Sequence, residues 1–246
     1  MIFQKRFASS LAGMVDLGLA KLNAVVPVTK VVKNLCAFLC SDPSQTPSFD
    51  PISGLTKGIL SFRLAPSTNT EKKDNSESSE SSIARISRRG AELALAELSR
   101  RFGANLFEQV PMIWQSTTDG LINACSNAGL EEADKRLERH AGQDVIDSLV
   151  TIQTVVPALH PDLWERVVKL LPSILLMLRS KFAVVRQTSA QCLATICDVI
   201  TAKAMRFAVE SVLPLLGCVQ SVTDRQGAIE AVFRQFIISI LIPVLC

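Results

Sequence analysis

Four arginines, Arg6, Arg88, Arg186 and Arg225, each open a similar seven-residue stretch of this 246-residue chain. A guanidinium presents five donors in a fixed fork, so a repeated arginine has two uses. It can bond carbonyls or carboxylates of an adjoining repeat, or it can line a surface that meets an acidic partner or phosphates. An evenly repeated position favours the first, a ladder between repeats. Other reactive side chains are sparse. His140 lies in a charged stretch and His160 beside a proline, and these are the two histidines of the chain. No clustered partners complete a zinc site or a nucleophile–base pair around either one. Cys36 and Cys40, four residues apart, can face one way on a helix, and read as a core and an edge cysteine in preference to a metal pair. Trp114 and Trp164 read as packing residues in preference to a partner hot spot. Gly-x-x-x-x-Gly-Lys-Ser/Thr, Gly-x-Gly-x-x-Gly and Gly-x-Ser-x-Gly do not occur in the sequence, so no catalytic, cofactor or metal residue is assigned.

The elements that position the arginines follow from what comes after them. Arg6-Phe7-Ala8-Ser9-Ser10-Leu11-Ala12 is echoed by Arg88-Arg89-Gly90-Ala91-Glu92-Leu93-Ala94. Further echoes are Arg186-Gln187-Thr188-Ser189-Ala190-Gln191-Cys192 and Arg225-Gln226-Gly227-Ala228-Ile229-Glu230-Ala231. Small residues stand three places on (Ser9, Ala91, Ser189, Ala228) and six places on (Ala12, Ala94, Cys192, Ala231), near one face of a helix. Such a face lets a helix lie close against its neighbour. Arg186 and Arg225 are 39 residues apart, and Arg88 and Arg186 are 98 apart, room for two units plus an insert. A second series runs with it: Val26-Pro27, Val110-Pro111, Leu171-Pro172, Leu213-Pro214 and Ile242-Pro243, with Pro172 and Pro214 42 residues apart. Proline bends a helix. A bent first helix beside a straight second one, at a period near ~40 residues, predicts HEAT or armadillo repeats. The fold class expected is therefore all-α, a HEAT/armadillo-like α-solenoid of about four to five helix pairs with one long disordered insertion.

Composition agrees. Aromatics are 5% of residues and Tyr is absent, which suits many thin contacts made by Leu, Val, Ile and Ala. The formal charge of +3 is too small to argue for nucleic acid. Seven cysteines without a Cys-x-x-Cys pair fit reduced thiols of a cytosolic or nuclear protein. No membrane span is expected, because apolar runs are short or carry charge or proline.

Along the chain, residues 1–41 read as the partial first HEAT helices, beginning mid-repeat as in a fragment. Residues 42–83 read as a disordered Ser/Pro-rich insertion, with too little apolar surface to offset chain entropy. Residues 84–246 read as the HEAT array. Asn127 to Gly142, with its charge run, is expected to be a solvated inter-helix segment, followed by a second-type helix from Val145 that lacks the opening arginine. Near the end, Phe236 to Ile242 merges two helices that should be separated by a turn, so the last repeat is expected to be truncated or altered after about Arg234.

Several segments taken together resemble one family. They are Val32-Lys33-Asn34-Leu35-Cys36 with Cys40 and Asp42-Pro43; Arg88 to Leu95 with Arg101-Phe102-Gly103; Val110-Pro111-Met112-Ile113-Trp114; Val185-Arg186-Gln187 through Cys192-Leu193-Ala194; and Val212 to Gly217 with Arg225 to Ala231. In order and spacing these resemble the TATA-box-binding-protein-associated ATPases, the B-TFIID-associated, modifier-of-transcription family, over most of residues 27 to 232. The resemblance implies a stretch of the HEAT arm just before a remodelling ATPase, in a nuclear regulator that removes the TATA-binding protein from DNA using ATP. The partner implied is the TATA-binding protein, with DNA engaged indirectly and no membrane or small-molecule substrate. The family's main grip on that partner lies nearer the N-terminus of the arm, so no contact residue is carried over. With no ATP-binding motif, this chain is expected to be non-catalytic and to need no cofactor. A generic HEAT adaptor, of the transport or phosphatase scaffold type, is the competing reading.

Overall fold

The computed structural model describes residues 2–22, 24–51 and 75–245. All regular structure among them is helical. The chain opens on α1 (Ile2–Leu22), α2 (Val25–Leu39) and α3 (Asn75–Phe102). It continues through α4 (Leu106–Gln109), α5 (Pro111–Cys125), α6 (Leu130–Arg136) and α7 (Gly142–Val155). The last part comprises α8 (Trp164–Val168), α9 (Leu171–Leu178), α10 (Ala183–Val199), α11 (Thr201–Phe207), α12 (Leu213–Leu216) and α13 (Val222–Leu245).

These helices stack in two layers. One layer runs α1, α3, α7, α10, α13; the other runs α2, α5, α9, and α2·α3, α5·α7, α9·α10 and α12·α13 pair between the layers. Among the described residues the helices therefore form a helical-repeat solenoid of four helix pairs preceded by α1. The first-type helices break where proline dictates. α4 stops at Gln109 and α5 starts on Pro111; α8 stops at Val168 and α9 carries Pro172 at its second position. Proline lacks the N–H that the preceding turn needs, yet fits the first turn of a new helix.

Small residues set the spacing of the second layer. Ala12, Ala91, Ala94, Ser189, Cys192, Ala228 and Ala231 are all buried; Ser9 is exposed, and in α1 the buried position falls one residue earlier, at Ala8. Two glycines mark close helix–helix contacts. A Cβ at Gly227 of α13 would overlap the Leu178 carbonyl oxygen at the end of α9, and one at Gly120 of α5 would overlap the Asp144 carbonyl of α7. Hydroxyls inside these contacts satisfy themselves locally. Thr117, Thr118, Thr151 and Thr188 each donate to the carbonyl four residues back, which hides a polar group within its own helix.

Two expectations are corrected. Residues 130–141 are helical: α6 continues through a π-turn segment, Leu137–Ala141, into α7. The π-turn adds a residue to the helix, so the apolar stripe changes register and the sequence reads as a solvated segment. Yet Ala133, Asp134 and Leu137 are buried. At the expected insertion, residues 42–51 pack against the array and α3 begins at Asn75; residues 52–74 lie outside the described residues. The last helix runs without a turn to Leu245.

Candidate interaction surface along the turn edge

In the second, third and fourth repeats a short turn joins the first-type helix to its second-type partner, and bonds between repeats link neighbouring turns. A second-type helix places its arginine so that the guanidinium reaches back to carbonyls at the end of the first-type helix or in the turn just after it. Carbonyls there have no helical partner four residues on. Arg88 Nη1 donates to Leu39 O at 2.8 Å and to Thr46 Oγ1 at 3.1 Å, and Arg88 Nε pairs with Glu92 at 3.0 Å. Arg186 Nη1 donates to Ser180 O at 2.8 Å and Lys181 O at 3.0 Å. Arg225 Nη1 donates to Cys218 O at 3.0 Å and Val219 O at 3.3 Å. The arginines are thus staples within a repeat.

One cross-link between repeats also comes from this set: Arg186 Nη2 donates to Gln226 Oε1, 3.0 Å away on α13. Carboxylates supply further rungs. Asp134, 7% exposed, accepts from Ser180 Oγ and, at 3.2 Å, from Lys181 N. Asp224 accepts a two-pronged bond from Arg179, Nε to Oδ1 and Nη2 to Oδ2, both 3.0 Å. The third repeat is therefore held from both sides by acids at the start of the second-type helices of the second and fourth. Between repeats, acids make these bonds, with Arg186 adding the one to Gln226.

Arg6 does not join it. Its side chain is exposed. In its place the structure supplies Arg136, whose Nη1 donates to Asn123 O, Ala124 O and Ser126 O at 2.9, 3.4 and 3.0 Å. Arg136 stands 48 residues after Arg88 and 50 before Arg186. It was missed because the π-turn displaces the small residues that should follow. The near halving of the 98-residue gap was the signal that could have found it.

Burial grades the staples. Arg186 is 6% exposed, and its Nε has no hydrogen-bond partner; burial lowers its pKa from the usual range, with Glu230 and Asp134 acting against that. Glu230 is pushed up by burial, and Arg186 and Arg234 pull it back. Around Arg179, the Asp224 bond raises the guanidinium pKa.

The other candidate groups are not brought together. His160 caps the turn ahead of α8, with Nδ1 accepting from Asp162 N at 3.4 Å, and His140 is exposed in the π-turn segment. Trp114 and Trp164 are half-buried against the core, Trp114 tilted on Phe107 at 4.8 Å. Cys36 and Cys40 line a cleft of about 330 Å³ between α2, α5 and α7, with Asp119, Asp144 and Asp147 on its far walls. Burial pushes the Cys36 thiol up to about 12 and the Cys40 thiol to about 11. The Cys40 thiol is 3.7 Å from both Asp147 O and Thr151 Oγ1, so it is engaged with α7. Among the described residues no group of three or more His, Cys, Asp or Glu is placed to hold a metal ion, and no helix is long and apolar enough to cross a membrane.

A family model described as a domain of unknown function, DUF3535, matches residues 1–116. The TATA-binding protein-associated factor mot1 of Aspergillus fumigatus is 34% identical over 256 residues, covering 98% of this chain. TATA-binding protein-associated factor BTAF1 of Arabidopsis thaliana is 31% identical over 82% of the chain, and TATA-binding protein-associated factor 172 of Homo sapiens is 24% identical over 89%. The chain spans 13%, 10% and 15% of these relatives' own lengths, respectively. It corresponds to one segment of proteins several times longer, and it belongs to the family of the TATA-binding protein-associated factors.

Proposed function

We propose that this chain is a non-catalytic HEAT-repeat scaffold segment of a nuclear transcription regulator that binds the TATA-binding protein and, in its full-length form, removes it from DNA using ATP. The observation that carries this reading is the match of 98% of the chain to relatives named for that partner, over a solenoid whose described polar groups serve packing. A segment of this kind transmits position. It holds a partner-binding region and a motor at a fixed separation, which requires repeats locked to one another. The turn edge supplies that lock through Asp134, Arg186 and Asp224.

The scaffold reading takes residues 1–41 and 84–246 as one array and assigns no catalytic, cofactor or metal residue. Its test is ATP turnover by the purified chain. No turnover above buffer is expected; hydrolysis that co-purifies with the chain through successive columns sinks the non-catalytic assignment. A generic transport or phosphatase adaptor would share the fold, and differs in the partners it captures.

A further inference from the structure

Residues 42–51, between α2 and α3, lie on the solenoid as a bound peptide lies on a receptor. Asp42, 1% exposed, starts the segment: its carboxylate accepts from Ser44 N and Oγ, and its carbonyl accepts from Gln45 N and Thr46 N. Thr46 is held by Arg88. The chain then crosses to the next repeat, where Gln143 takes main-chain groups two residues apart. Its Oε1 accepts Phe49 N–H at 2.8 Å and its Nε2 donates to Pro47 O at 3.5 Å, while Asp147 Oδ1 orients the same amide at 2.8 Å. The Phe49 ring enters a socket. One wall is Gly142, where a Cβ would overlap the ring. The other is Phe182 of the third repeat, fully buried, meeting Phe49 edge-on at 5.0 Å and 72°.

We infer that Gly142, Gln143 and Phe182 form a peptide-recognition socket for an extended segment bearing a phenylalanine, occupied in cis by the chain's own residues 46–49. The Gln143 amide grips backbone that any residue carries, and the glycine-floored socket selects the aromatic ring. This division of labour between main-chain bonds and side-chain pockets is general to extended-peptide recognition. The inference does not rest on the transcriptional reading above. Occupancy in cis pins the start of the long α2–α3 connection across three consecutive repeats and closes the socket to other segments.

The test follows from effective concentration. A short tether presents its segment at on the order of 1 mM, so a site filled in cis must bind the free segment with a Kd below ~1 mM. A fluorescent peptide of residues 42–51 is titrated, by anisotropy, into the 246-residue chain and into the same chain with Thr46→Gly, Pro47→Gly and Phe49→Gly. The altered chain is expected to bind one peptide saturably, at least ~10-fold more tightly than the unaltered chain, whose socket is filled. Adding Gly142→Leu to the altered chain abolishes binding. Adding Gln143→Ala, which keeps the socket open, removes both bonds to the segment and weakens binding by at least ~5-fold, the worth of one net hydrogen bond. Circular dichroism checks that each variant is folded, and the glutamine variant decides if the leucine variant is not. No saturable binding below ~1 mM, equal binding by both chains, or binding unmoved by Gln143→Ala overturns the inference.

Discussion

Replacing the arginines one at a time by methionine separates the stapling role from the sequence echo that first pointed to them. Methionine keeps much of the stem and removes the fork. For Arg186 three bonds go at once, to Ser180 O, Lys181 O and Gln226 Oε1. The Ser180 backbone lies in a fully buried residue, so its carbonyl loses a partner where water cannot replace it. An unsatisfied buried acceptor costs about 1–3 kcal/mol, and removing one member of a buried charged network about 3–5. The desolvation relieved by deleting a buried guanidinium acts the other way, so the expected loss is about 3 kcal/mol. Arg88, with a side chain 13% exposed, should cost about 2 kcal/mol. Arg136, 29% exposed, and the half-buried Arg225 should each cost about 1 kcal/mol, because water reaches the freed carbonyls. Arg6 should stay within ~0.5 kcal/mol, as an exposed side chain with no such bonds. Urea unfolding followed by circular dichroism at 222 nm reads the order. An Arg6→Met chain as destabilised as Arg186→Met, or an Arg136→Met chain indistinguishable from the parent, refutes the staple assignment.

Three further outcomes follow. Gly227→Ala should destabilise by about 1 kcal/mol, since ~1–3 of overpacking against the Leu178 carbonyl outweighs ~1 of helix propensity; Gly90→Ala, with open space at its Cβ, should stabilise by about 0.5–1, and thermal melts giving the same sign for both would contradict the close approach. Glu230 is an acid raised by burial, so its folded state holds the proton more firmly and its unfavourable contribution grows as pH rises through the folded value; Glu230→Gln should raise Tm at pH 7, with the gain vanishing below the ordinary glutamate value of 4.5, and a gain independent of pH would contradict this. Buried thiols should resist an aromatic disulfide reagent at pH 8: Cys36, Cys192 and Cys197 stay unmodified in the folded chain and react once urea unfolds it, whereas rapid native-state labelling of these three would place them outside the core.

The architecture could be read from the sequence because its signals are local. Proline positions set where α5 and α9 begin, and alanines at spacings of three mark the faces that touch. Legibility failed where geometry departs from the regular period. The π-turn at Leu137–Ala141 shifts the faces of α6 and α7 by a residue, which hid Arg136 and made a helix look like a charged loop. Arg6 matched the echo, yet its side chain is exposed and no bond of this kind is made by it among the described residues. Residues 42–51 were unreadable for another reason. Proline, serine and aspartate reveal no core of their own, and their order comes from Gln143 and Phe182, 94 and 133 residues away from Phe49. The acid rungs were equally hidden, since Asp134 and Asp224 acquire meaning only from the turns they face.

Capturing the endogenous gene product from nuclear extract, with antibodies raised against residues 84–234, and identifying what accompanies it by mass spectrometry tests the proposed function most directly. The TATA-binding protein should be recovered in proportion to the bait. Recovery of transport factors or phosphatase subunits with no TATA-binding protein would contradict the account and make this solenoid a general adaptor.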